Sequence, residues 1–262
     1  MIAKSSITAM AISLIILLGL LIGVFLFFKK KVAIKLVPLF VGVAFFIIFA
    51  LVLEQMLHSF VLQPNAQGQI PLMINHPVVY MIYGIFAAGV FEETARLVAF
   101  KLLKSSYSDF ATSIAYGLGH GGIELLLLGG MSLVSNLVIS LLLSNPNGQF
   151  AQELPQSIVQ ALQNVSAGEF FLVTIERFPA LLVQICLSVL VWIAVNKARQ
   201  FWLFPLSILF HAIIDIPSVM TQVGFLSSYV ILYGLLYLMT IALIIFTIAV
   251  AKKNELYLKK SF

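Results

Sequence analysis

The stretch GVFEETARLVAF, residues 89–100, decides how this chain is read. It has no proline, and its periodicity and composition are those of a helix. It lies inside a long apolar run, yet it sets Glu92, Glu93 and Arg96 within five residues. Around it, 61% of the 262 residues are hydrophobic and only 10% charged, with a mean hydropathy of +1.10. A soluble domain is about 45–50% apolar and about 25% charged. The bilayer is therefore the expected solvent, and the expected fold class is an all-α, polytopic membrane bundle forming one multi-pass domain over residues 1–262.

The net charge of +5 is spread over short loops, and no basic stripe interleaves with aromatics. That excludes a nucleic-acid partner. The single cysteine, Cys186, lies in an apolar run and reads as a small apolar filler; one cysteine makes no internal disulfide and no thiolate cluster. The first apolar run, Ser6 to Phe28, exceeds a signal-peptide core of roughly 7–15 residues and closes on no A-x-A site. It is expected to be a retained span.

Apolar runs of about 20 residues place spans near 6–28, 36–61, 78–102, 110–130, 170–195, 201–221 and 226–250. The short run MSLVSNLVISLLLS, 131–144, can lengthen the fourth span, lie at the interface or cross separately. Loop 145–169 begins NPNGQ, carries Glu153 and Glu169, and is expected to be polar and helical after Pro155. Lysine and arginine then alternate by loop. Lys29, Lys30, Lys31 and Lys35 fill the first, Lys101 and Lys104 follow the third span, and Lys197 and Arg199 precede the sixth. Lys252, Lys253, Lys259 and Lys260 close the chain, while loops 62–77, 145–169 and 222–225 have neither residue. This pattern fits seven crossings with the N-terminus outside and the C-terminus cytoplasmic.

A charge at mid-bilayer costs at least about 2.5–3.5 kcal/mol, so such groups face a protein interior and mark function. Three spans carry them in pairs: Glu92 and Glu93 with Arg96, His120 with Glu124, and His211 with Asp215. Glu92–Arg96, His120–Glu124 and His211–Asp215 are each spaced i, i+4, on one helix face. Glu93–Arg96 is i, i+3, so the arginine reaches either carboxylate. Counted from Lys101, Asp109 and Arg199 at the expected cytoplasmic ends of their spans, Glu92, His120 and His211 lie at a common depth of roughly 13–18 Å. Gly117, Gly119, Gly121 and Gly122 flank His120 and serve either close helix packing or room for a substrate backbone. Glu176 and Arg177 lie toward the outer end of their span. Adjacent residues point about 100° apart and do not make an ideal pair, so one of them is expected to partner Glu124. His58 and His76 sit near span ends and are expected to face water or headgroups.

A carboxylate with histidines in a polar membrane cavity suits water activation: glutamate as general base, histidine to orient water or donate to an oxyanion. Peptide hydrolysis needs both. Two histidines with carboxylates could instead hold Zn²⁺ with an open position, drawing on His120, His211, Glu92 and Asp215, although H-E-x-x-H is absent.

EETAR, YGLGH and HAIID resemble, in order and on separate apolar spans, the motifs EExxxR, FxxxH and HxxxN of the CAAX-protease and bacteriocin-processing superfamily of intramembrane proteases. More closely, the chain resembles the bacterial YhfC-type family within it, described as glutamic-type or metallo-type. The motifs cover about 125 residues. The resemblance implies an endopeptidase in the bacterial cytoplasmic membrane, with a membrane-embedded or membrane-proximal polypeptide as substrate. It implies that Glu92 activates water beside Glu93, that Arg96 orders the carboxylates, and that His120 and His211 position water or stabilise the oxyanion. The glutamic type requires no cofactor; the metallo type takes zinc. The chain departs from the pattern at four places. Arg96 comes one residue early, Tyr116 replaces phenylalanine, Asp215 replaces asparagine, and Glu124 is additional.

Mid-membrane acids and histidines also build proton relays, so an ion-coupled transporter is the competing reading. Repeated halves and paired broken helices, which transporters show, are not visible. A non-catalytic immunity or assembly protein on a protease-like scaffold is a third. Nothing in the sequence sets an oligomeric state.

Overall fold

A computed structural model describes residues 2–144 and 156–256. Glu153, Pro155, Lys259 and Lys260 of the expected loop and tail lie outside those residues. Among the described residues all regular structure is helical. The elements are α1 (Lys4–Lys29), α2 (Leu36–Val61), α3 (Pro71–Asn75), α4 (Pro77–Leu103), α5 (Phe110–Leu143), α6 (Gln156–Asn164), α7 (Glu169–Asn196), α8 (Leu203–Gln222) and α9 (Tyr229–Lys253). Seven of them, all but α3 and α6, are long and apolar enough to cross a membrane. Helices are the expected answer, because a lipid-facing backbone must satisfy its hydrogen bonds within its own segment. The run 131–144 makes no separate crossing; Met131–Leu143 continues α5 into one 34-residue helix.

Local chemistry marks the ends. Pro71 and Pro77 open α3 and α4, where a missing N–H is harmless. Asp109 caps α5, its Oδ1 accepting from Thr112 N at 3.0 Å and Thr112 Oγ1 at 2.9 Å. Ser228 caps α9 through Ile231 N at 3.4 Å. Two spans are wound more widely over part of their length, with π-helical turns at Ile47–Glu54 in α2 and Leu125–Gly130 in α5.

The chain packs as two compact units. The first comprises Met1–Phe27 and Glu124–Ala180. Its helices α1 and α7 are clasped by polar groups: Ser13 Oγ donates to the Phe170 carbonyl at 2.7 Å, and Thr174 Oγ1 donates to the Ser13 carbonyl at 3.2 Å. In an apolar solvent such bonds and close packing substitute for hydrophobic burial.

The second unit comprises Phe28–Ile123 and Leu181–Phe262. The part of α7 that belongs to it is buried and apolar apart from Gln184, Ser188 and Asn196, with Leu187, Leu190 and Ile193 wholly enclosed. Contacts fix the direction of the helices around it. At one end Lys35 pairs with Asp109, and Lys104 Nζ donates to the Val195 carbonyl at 2.8 Å. At the other end Tyr80 donates to Gln222 Oε1 at 3.2 Å. Measured from the lysine-bearing end, Glu92 lies eleven residues inside Leu103, His120 ten inside Phe110 and His211 eight inside Leu203, or about 12–16 Å for all three.

Gly119 serves packing. A Cβ built there would stand 1.9 Å from the Leu39 carbonyl oxygen, so α2 and α5 meet backbone to backbone one residue before His120. Gly119→Ala must push α2 away, and overpacking of this kind costs about 1–3 kcal/mol. Gly234 in α9 has nothing within 4 Å. Thermal unfolding in detergent is expected to show a lower Tm for Gly119→Ala and an equal or higher one for Gly234→Ala.

Candidate active site

The second unit brings Glu92, Glu93 and Arg96 of α4, His120 of α5 and His211 and Asp215 of α8 to one place. Glu93, Arg96 and His120 are fully buried, and Glu92 and His211 nearly so. The approach of α8 depends on Gly89, where a Cβ would lie 3.0 Å from the Ile208 carbonyl oxygen.

The two glutamates have different surroundings. Glu93 Oε1 accepts from Arg96 Nη1 at 2.6 Å and from His211 Nδ1 at 2.8 Å. It is sealed, and its Oε2 is buried without a hydrogen-bond partner. Glu92 Oε2 meets His120 Nε2 at 2.9 Å and accepts from Gln184 Nε2 at 3.0 Å. Its Oε1 faces His211 Nε2 at 4.0 Å. Asp215 Oδ2 lies 3.5 Å from the same Nε2, and its side chain is 34% exposed.

Arg96 is the hub. Besides Glu93, its Nη2 donates to Gln184 Oε1, its Nε donates to Ser188 Oγ at 3.2 Å, and Nη2 stands 3.7 Å from Glu92 Oε2. Ser188 Oγ in turn donates to the Gln184 carbonyl at 2.7 Å. The i, i+4 spacing favours pairing with Glu92; the guanidinium instead bonds Glu93, at i+3, while α7 occupies its other nitrogens. His120 is held by rings, with Phe46 edge-on at 5.1 Å between centroids and the Tyr116 hydroxyl 3.5 Å from its Nδ1.

Glu124, Glu176 and Arg177 belong to the first unit. Arg177 Nη1 donates to Glu124 Oε1 at 3.2 Å, the expected partnership, and Nη2 also reaches the adjacent Glu176. The long guanidinium overcomes the 100° divergence that argued against that neighbour pair. His76 is exposed and Cys186 is buried. His58 departs from expectation: it is half-buried, with Nδ1 2.6 Å from Tyr83 Oη and Nε2 3.3 Å from Glu54 Oε1.

Sequence reasoning missed Glu54, Gln184 and Ser188. Each had a signal. Glu54 and His58 repeat the i, i+4 acid–histidine spacing of the other pairs, and Gln184 and Ser188 are polar residues four apart in an otherwise apolar run.

The donor chemistry of Glu92, His120, His211 and Asp215 is that of a zinc site, and Glu93 orients His211 through Nδ1 as a metal-bound histidine is oriented. His120 Nε2 is engaged by Glu92, a guanidinium stands beside the same carboxylate oxygen, and among the described residues no three His, Cys, Asp or Glu side chains are placed to hold a metal ion.

Breaking one side of a buried ion pair costs about 3–5 kcal/mol, since the remaining charge stays behind. Glu93→Gln and Arg96→Met are therefore expected to lower the Tm by on the order of 10 °C, with a much smaller loss for Glu92→Gln. Thermal unfolding of the three variants in one detergent checks this.

A family model described as "YhfC intramembrane metalloprotease" matches residues 14–236. A Bacillus subtilis (strain 168) protein described as "Uncharacterized membrane protein YhfC" is 35% identical over 231 residues, covering 86% of this chain and 88% of that protein. No solved structure matches.

Proposed function

The chain belongs to the YhfC family, and from that premise we propose that it is an intramembrane endopeptidase in which Glu92 is the general base. The observation that carries this reading is the 4.0 Å separation of Glu92 Oε1 and His211 Nε2. Two groups each about 2.8 Å from one water stand about that far apart, so a single water can bond both.

Water so held loses a proton to Glu92 as its oxygen attacks the peptide carbonyl carbon. Glu92 then delivers that proton to the departing nitrogen, and the C–N bond breaks. His120 and Gln184 fix the opposite carboxylate oxygen, so the base does not rotate. His211, with its Nδ1–H given to Glu93, acts as the imidazolium, whose Nε2–H donates to the reacting water and then to the oxygen that develops charge. Arg96 touches neither water nor substrate; it holds Glu93 and Gln184, which hold the others. The substrate is a polypeptide segment in or beside the membrane, the setting a bacterial cytoplasmic membrane, and the lysine-bearing end of the spans is the cytoplasmic one.

Purified wild type and Glu92→Gln are compared on a panel of transmembrane peptides. Loss of a general base lowers the rate by about 10²–10⁴, so Glu92→Gln is expected to retain under about 1% of the wild-type kcat. Equal cleavage by both proteins contradicts the reading, as does ion flux that depends on Glu92 in a wild type that cleaves nothing.

The mechanism runs without a metal. Cleavage is expected to survive dialysis against 1,10-phenanthroline, with under about 0.1 zinc per chain by elemental analysis. Stoichiometric zinc, with activity lost to the chelator and restored by zinc, would place the metal on His120, His211, Glu92 and Asp215 instead.

A further inference from the structure

Glu54 is a buried carboxylate within a span, seven residues from the end of α2, that the proposed mechanism does not use, 7% exposed at the end of the π-helical turn. A wide turn of this kind re-aims the side chains around it and recurs at functional sites. Its partner on the same helix is His58, Nε2 to Oε1 at 3.3 Å, and from α4 the Tyr83 hydroxyl lies 2.6 Å from His58 Nδ1. On α2 the buried residues Phe46, Ala50 and Glu54 recur every four positions, and Phe46 packs edge-on against His120, so Glu54 lies on the face of α2 that borders the cluster.

The order along the membrane axis is informative. Counted from the lysine-bearing end, Glu92 and Asp215 lie at about 16 and 18 Å, Glu54 at about 27 Å, Tyr83 at about 30 Å and His58 at about 33 Å. The Glu54 side chain is 10% exposed and that of His58, three residues from the end of α2, is 23% exposed, while Asp215 beside His211 is 34% exposed. Polar groups thus run from the Glu92 cluster to the end of the unit remote from the lysines, through a depth where lipid-facing residues are apolar. Chains of acids and histidines at such depths serve as paths for water, ions or protons.

We propose that Glu54, His58 and Tyr83 form the polar route by which water reaches Glu92 from the membrane face opposite the lysine-rich loops. The proposal deepens the peptidase reading and rests on it for its purpose. Each hydrolysis consumes one water, whose OH joins the acyl carbon and whose H joins the nitrogen, and a base as buried as Glu92 needs a supply. None of the three residues touches the substrate.

The test does not depend on cleavage. Cys186→Ser removes the native thiol, and a single cysteine is introduced as Glu92→Cys or, where the side chain is more exposed and the cluster less disturbed, as Asp215→Cys. Each protein is reconstituted in liposomes, and the rate of modification by a small water-soluble methanethiosulfonate is read with and without Glu54→Leu or His58→Phe. The route requires modification from the His58 side and a slowing of about tenfold or more by either substitution. A thiol at both positions that does not react, or reacts equally fast with and without the substitutions, overturns it. Where wild type cleaves peptide, Glu54→Leu is expected to lower kcat about tenfold with KM within about twofold, and an unchanged kcat likewise overturns the route. A wild type that cleaves nothing sinks the peptidase reading alone, because labelling rates are independent of it.

Discussion

A guanidinium with no exposed surface in the middle of a membrane protein is the constraint around which the second unit is organised. An unpaired Arg96 would be prohibitive there, so every nitrogen must find an acceptor. Glu93 takes one, Gln184 a second and Ser188 the third. Those acceptors come from α4 and α7, and Glu93 then reaches to His211 on α8 while Gln184 reaches back to Glu92. Satisfying one charge thus fixes three helices in register.

The same network separates two chemically identical side chains. Glu93 is sealed, bonded to a cation and an imidazole, and has no room for a reacting molecule. Glu92 is held on one oxygen and turns the other toward His211 across a gap of 4.0 Å. A pair of carboxylates becomes one holder and one candidate base through environment alone, as the general logic of divergent carboxylate roles requires.

Much of this was legible in the sequence, because membrane helices announce themselves by length and polar residues within them are scarce. The seven spans and the depth shared by Glu92, His120 and His211 follow from counting. What counting could not supply is which faces meet. Spacing left Arg96 able to reach either glutamate, and the choice was made by Gln184 and Ser188 on a helix remote in sequence. Gly119 could serve packing or a substrate; only the position of Leu39 decides for packing. His58 near a span end reads as a headgroup contact until Tyr83, on a helix remote in sequence, is seen to engage it beside Glu54. Glu124 pairs with Arg177, as the outward positions of both lead one to expect, whereas the added contact of Arg177 with its neighbour Glu176 comes from the reach of the long guanidinium.

The central claim, that Glu92 and His211 together hold the reacting water, is tested most directly by a structure with a peptide analogue whose hydroxyl replaces the attacking water. The account predicts that this hydroxyl lies within hydrogen-bond distance of both Glu92 Oε1 and His211 Nε2, with Glu93 still bonded to Arg96. A hydroxyl seated on Glu93, or on a metal between the histidines, would contradict it.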